Sequence, residues 1–175
     1  NKAKHSFYVE ESYVIPWMYP YLTPFGVIMK LNKEPLKPPQ EDPGTWTQII
    51  QRDFTYWDKL IADFEARPEF RRDTDAQKSF SKLRTAISGI YEYRRLFAQA
   101  EYSYRQAVRL YPAGPEASFR LANLYMQVGQ FDAAIQVLQE LQKLDPLNAQ
   151  IGGAIQQFTA IKNQNPPPSP PPGRR

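Results

Sequence analysis

Two pairs of carboxylates in this 175-residue chain, Glu10/Glu11 and Asp73/Asp75, are the residues that could be imagined as a general acid and a general base. Neither pair has the companions that proton transfer needs. The one histidine is His5 and there is no cysteine. Thiolate metal sites and disulfides are therefore excluded, and a zinc or acid–base site would have to be built from carboxylates alone. A phosphate loop, HExxH, GxSxG and a dinucleotide fingerprint are all missing from the sequence. Gly152-Gly153 falls inside a helical pattern and reads as a point of close packing. The acidic pairs read as solvated or helix-capping residues. No catalytic, cofactor-binding or metal-binding residue is assigned, and enzymatic activity is not expected of this chain.

A second constellation is basic and aromatic. Arg84, Arg94, Arg95, Arg105 and Arg109 interleave with Tyr91, Tyr93, Tyr102, Tyr104 and Tyr111. Such a face could stack single-stranded nucleic acid. Glu92 and Glu101 dilute its charge, and Tyr91 and Tyr104 fall at core positions of the pattern described below. The net charge of +4 includes the terminal Arg174 and Arg175 and does not call for a nucleic-acid partner, so none is expected.

The elements that position these residues are mostly helical. Residues 45–66 place Trp46, Ile49, Ile50, Phe54, Trp57, Leu60, Ile61 and Phe64 at helical spacing, with Thr45 or Thr47 as cap and Pro68 beyond the end. Asp73 to Asp75 offer caps for a helix running to about Tyr93. The stretch 34–44 holds four prolines and a glycine and reads as a linker. Residues 166–175 carry six prolines, fit PxxP twice and are expected to be disordered, with a proline-motif ligand as the alternative. The chain starts at Asn1 rather than Met, with no signal pattern, and is expected to be a piece of a longer polypeptide.

A shift of 34 residues aligns Tyr91 with Tyr125, Phe97 with Phe131, Ala100 with Ala134, Leu110 with Leu144 and Pro112 with Pro146. The unit 115–148 carries Leu121-Ala122, Tyr125, Gly129, Phe131, Ala134, Leu138 and Pro146 in an order that resembles the tetratricopeptide repeat. The unit 81–114 carries Ile87-Ser88, Tyr91, Phe97, Ala100, Tyr104, Ala107 and Pro112, with Arg95 at the turn glycine; Leu141 stands where the first unit has small Ala107. The expected fold is all-α: a right-handed array of antiparallel helix hairpins over 45–165. Helices are expected at 81–94, 97–111, 115–128, 131–144 and 149–162, with Tyr91, Ala100, Leu121, Tyr125, Phe131 and Ala134 buried. Two repeats leave open faces. The helices 45–66 and 149–162 are expected to cap them.

The resemblance implies a groove lined by the first helix of each pair: Lys82, Thr85, Gly89, Glu92 and Tyr93, then Glu116, Phe119, Asn123, Met126 and Gln127. Asn123 stands where family members hold a peptide backbone or carboxylate. The lysine of a carboxylate clamp is missing, since Thr85 and Phe119 occupy those positions, and Gly89 replaces the first unit's asparagine. Phe119, Met126 and Tyr93 suit an apolar helix or extended segment. The alternative is that the chain's own N-terminal region blocks this surface.

Residues 1–33 form an aromatic-rich segment. Phe7 to Phe25 hold seven aromatics, and Ser12 to Met29 carry no charge. Pro16, Pro20 and Pro24 exclude a spanning helix. These aromatics suit either packing onto the helical body, by Trp17 or its neighbours, or a membrane–water interface through Trp17, Tyr19 and Tyr21. Val27–Leu31 is expected to pair with Phe7–Val9 as a small β-hairpin. Residues 6–33 resemble the stretch after the last membrane helix of an uncharacterised family of polytopic bacterial membrane proteins related to protein O-mannosyltransferases. That resemblance implies a juxtamembrane start and a non-catalytic scaffold domain, periplasmic and attached to a glycosyltransferase-like parent, its own membrane domain counting among its partners. The alternative is a stand-alone adaptor that binds a protein or peptide and has no membrane parent.

Overall fold

The computed structural model describes residues 5–11 and 15–165; the proline-rich tail, 166–175, lies outside them. Seven α-helices follow a small N-terminal sheet: α1 Pro43–Glu65, α2 Pro68–Arg72, α3 Thr74–Tyr93, α4 Phe97–Leu110, α5 Pro115–Gln127, α6 Phe131–Leu144 and α7 Ala149–Gln164. The pairs α3/α4 and α5/α6 are the two expected hairpins, and α7 packs on α6.

Small residues set the helix spacing. Ser88, Ala100, Ala122 and Ala134 are all fully buried, with Tyr91 and Tyr125 filling the space between the helices. Phe131 departs from expectation and is only half-buried, as is Phe97. Each is the first residue of the second helix of its pair. The two hairpin turns are alike: Leu96 N–H donates to Tyr91 O at 2.9 Å and Gln130 N–H to Tyr125 O at 2.8 Å. Such a closure requires a left-handed residue after the helix end. Gly129 supplies it at φ +76, and Arg95 adopts the same conformation at φ +58.

Helix α1 covers the open side of α3/α4. Trp46, Ile49, Asp53, Trp57 and Ile61 form its buried stripe, each large apolar member contributing about 1.5–3 kcal/mol by burial. It begins earlier than expected because Asp42, not Thr45 or Thr47, caps it, accepting from Thr45 N–H at 3.2 Å. The short helix α2 after Pro68 was not foreseen, and Asp73 then caps α3 through Ala76 N–H at 2.9 Å.

The strands are β1 Phe7–Val9, β2 Leu22–Phe25 and β3 Ile28–Leu31, in the order β1-β3-β2. The pairing of β1 with β3 is the expected one, Val9 lying opposite Met29. The expected two-stranded hairpin is a three-stranded sheet because β2 pairs with β3 through the two-residue turn Gly26-Val27, where Gly26 takes φ +63. Pro24 is tolerated because β2 is an edge strand. One sheet face, with Val9, Leu22 and Met29, joins the same core as the helices. Trp57 Nε1 donates to Gly26 O at 3.1 Å and Trp46 Nε1 to Lys37 O at 2.9 Å, tying α1 to the sheet and to the linker.

Candidate functional site

The face shared by α3 and α5 is the expected groove, and its two halves differ. On α3 the chain's own N-terminal region contacts several of the expected residues and leaves Lys82 and Tyr93 about half exposed. Lys82 is paired with Glu11 at 2.8 Å. Thr85 is buried, its hydroxyl donating to Ser81 O at 2.8 Å. The ring of Tyr19 lies 5.1 Å from that of Tyr93, and its hydroxyl stands 3.5 Å from where a Cβ on Gly89 would be. Tyr19 belongs to a 3-10 helix, Pro16–Tyr21, whose backbone is held from below by Arg94. That guanidinium donates to Pro20 O at 2.6 Å and Leu36 O at 3.1 Å, and lies over the Trp46 and Tyr93 rings. Burial lowers the Arg94 pKa from its ordinary value.

On α5 the counterparts stay accessible. Glu116, Asn123 and Gln127 are exposed, and Phe119 and Met126 are half-buried beside them. Glu92 bridges the halves, accepting from Tyr104 Oη at 2.7 Å and from Gln127 Nε2 at 2.8 Å. Where the α3 half meets the α5 half there is a cavity of about 380 Å³, lined by Tyr19, Gly89, Glu92, Tyr93, Arg95, Phe97, Arg120 and Gln127. Sequence reasoning placed Glu92, Tyr93 and Gln127 here and missed Tyr19, Arg95 and Arg120. Gly89 was the available signal: a glycine inside a helix costs up to about 1 kcal/mol relative to alanine and asks for a close neighbour.

The other candidate residues are dispersed. Asp73 caps α3, Asp75 lies 3.9 Å from Lys78, Glu11 pairs with Lys82 and Glu10 is exposed. Among the described residues no group of three or more His, Asp or Glu could hold a metal. The basic–aromatic face does not form. Arg84 is buried between Phe54 and Trp57, its Nη1 donating to Asp53 Oδ2 at 2.7 Å and its Nε to Gln106 Oε1 at 2.8 Å. Arg105 pairs with Glu101 at 3.0 Å and Arg109 with Glu65. Tyr91 and Tyr104 are fully buried. Gly152 and Gly153 lie within α7, Gly152 facing Gln142 of α6. Of the aromatics expected at an interface, Trp17 is 60% exposed and Tyr21 half-buried, whereas Tyr19 turns inward. No helix among the described residues is long and apolar enough to cross a membrane.

No curated protein matches the chain. Among solved structures, the first tetratricopeptide repeat domain of Spaghetti (RPAP3), bound to the HSP90 peptide SRMEEVD, is 15% identical with a TM-score of 0.39, over 60% of this chain and 89% of that one. The first such domain of human RPAP3 is 18% identical, also at 0.39, over 62% and 93%. The tetratricopeptide repeat family model matches residues 95–158, which run from the turn of the first hairpin into α7. With the 34-residue register, the buried small residues and the two equivalent turns, that match shows the helical body to be a tetratricopeptide-type array of helix hairpins, similar to the repeat family over residues 95–158.

Proposed function

We propose that the domain is a non-catalytic scaffold that holds a protein segment on the open α5 half of its groove. The carrying observation is the asymmetry of the face. Lys82 and Tyr93, though exposed, are already engaged by Glu11 and Tyr19 of the same chain, and Thr85 is buried, while Glu116, Asn123 and Gln127 are exposed around half-buried Phe119 and Met126. An extended or helical segment can lay apolar side chains against Phe119 and Met126, and the Asn123 amide can donate and accept along its backbone. Partner recovery by the native chain is compared with that by a Phe119→Ala, Asn123→Ala double variant. A drop of about tenfold or more is expected, as for loss of a central contact; equal recovery rejects this face as the site.

A second reading concerns what carries the domain: the C-terminal region of a membrane-embedded, glycosyltransferase-like protein related to protein O-mannosyltransferases, with the domain on the periplasmic side. It is supported by the resemblance of residues 6–33 and by the apolar side chains exposed there, among them Phe7, Ile15 and Trp17. The sequence upstream of Asn1 decides it. Apolar spans of about 20 residues support this reading, and a soluble domain there leaves the stand-alone adaptor. Protease accessibility in spheroplasts then tests the side of the membrane.

A further inference from the structure

The N-terminal sheet has two faces, and one of them joins the hydrophobic core, while on the other only Thr23 is buried. Val9, Leu22 and Met29 face the core. On the opposite face Tyr8 and Phe25, both 43% exposed, meet across β3 with their rings 5.0 Å apart. The flank of α1 continues that face. Arg52 lies 5.7 Å over the Phe25 ring, and the Tyr56 ring packs against Gly26 while remaining 41% exposed. Ile15 at 48% and Trp17 at 60% are exposed further along the same segment, and Phe7, which shares its face with Val9 and not with Tyr8, is 62% exposed.

We infer that this aromatic surface is a lipid-contact site, seating the domain on a bilayer at the level of the headgroups. The chemistry favours lipid over a protein partner. Tyr, Trp and Phe with a few cations form the combination that settles at a membrane–water interface, where rings sink toward the acyl chains and cations meet phosphates. Here the cations are Arg52 and Lys30, and no acid occurs from Ile15 to Met29; Glu10, at the end of β1, is the exposed acid nearby. The exposed rings are spread over two strands, a 3-10 helix and a helix flank. A fluid surface can receive such a set without shape complementarity. The contact does not depend on the groove, and a peripheral contact needs no membrane span.

Tryptophan fluorescence gives a clean test, because Trp46 and Trp57 are 2% and 0% exposed and only Trp17 is open to solvent. The full chain is floated with phosphatidylcholine vesicles, with and without about a third phosphatidylglycerol. Expected results are co-flotation, a blue shift of Trp17 emission and quenching by lipids brominated in the upper acyl chain. A Trp17→Ser, Phe25→Ser variant should float at least about fivefold less, since it removes two of the exposed rings, Trp17 being the largest of them. Arg52→Glu should weaken binding on the anionic vesicles alone. These positions are at the surface, so unchanged melting temperatures establish that the variants fold. Native protein that stays in the soluble fraction on both vesicles, or variants that float as well as native, overturns the inference. So does recovery of a protein partner that needs Trp17 and Phe25 while the vesicles bind nothing. Loss of Phe119 and Asn123 should leave flotation unchanged, which separates this inference from the groove reading.

Discussion

Arg84 shows how strongly one buried charge can constrain this fold. Its guanidinium is 0% exposed, and its one ionic partner is the Asp53 carboxylate, itself held by Tyr91 Oη at 2.8 Å. Asp53 Oδ1 and Arg84 Nη2 have no hydrogen-bond partner. Removing one member of a buried pair leaves an uncompensated charge, which costs about 3–5 kcal/mol. Asp53→Ala should therefore lower stability by about that much in chemical denaturation, far more than Glu65→Ala, whose partner Arg109 is at the surface. Similar losses for the two would mean that the Arg84 cluster is hydrated. The sequence did not reveal this pair. Asp53 and Arg84 lie on different helices, and their encounter depends on how α1 crosses α3.

At the scale of elements, the repeat was legible because its signal is periodic. Tyr91/Tyr125 and Ala100/Ala134 recur at one spacing, and a helical hairpin needs them there. Strand β2 was not legible, because Pro24 argues against a strand and edge status depends on partners distant in sequence. The contact of the N-terminal segment with the α3 half of the groove was foreseen only as an alternative. The residue that makes it, Tyr19, lies 70 positions from Gly89, and no local pattern links the two. Gly89→Leu should expel Tyr19 and speed hydrogen exchange in 16–36 while α3 stays protected. Gly89→Ala meets Tyr19 only at ordinary contact distance and should be tolerated. If Gly89→Leu leaves exchange unchanged, the Tyr19 contact is not what holds the segment. Ala134→Leu, at a 0% exposed position between paired helices, should cost about 1–3 kcal/mol by overpacking; an unchanged thermal melt would argue against close helix approach.

At the scale of the molecule, buried tyrosines couple the whole array to alkaline pH. Tyr91 bonds Asp53 across α1 and α3, Tyr104 bonds Glu92 within the first hairpin, and Tyr125 bonds Glu101 across the two repeats. Burial raises the pKa of all three first of all, and the neighbouring carboxylates add to the effect, directly and through the hydrogen bonds they accept. Tyr125 is pushed up to about 12, while a tyrosine in the unfolded chain titrates near 10. A folded pKa above the unfolded one means stability that is fully present below about pH 10 and lost as pH rises toward the folded value. In that window the unfolded chain has released protons that the native chain retains, so rising pH favours unfolding by ~1.4 kcal/mol per pH unit for each such tyrosine. Stability measured by urea titration should thus be flat into the weakly alkaline range and fall steeply between about pH 10 and 12. Absorbance of the native protein should show Tyr91, Tyr104 and Tyr125 ionising only as the helices melt. Tyr125→Phe removes one of the three groups and should make the fall shallower, even though it also loses the bond to Glu101. If every tyrosine ionises near pH 10 with the helical signal intact, these three rings are not sealed between the helices, and the packing that defines the repeat register is looser than the structure shows.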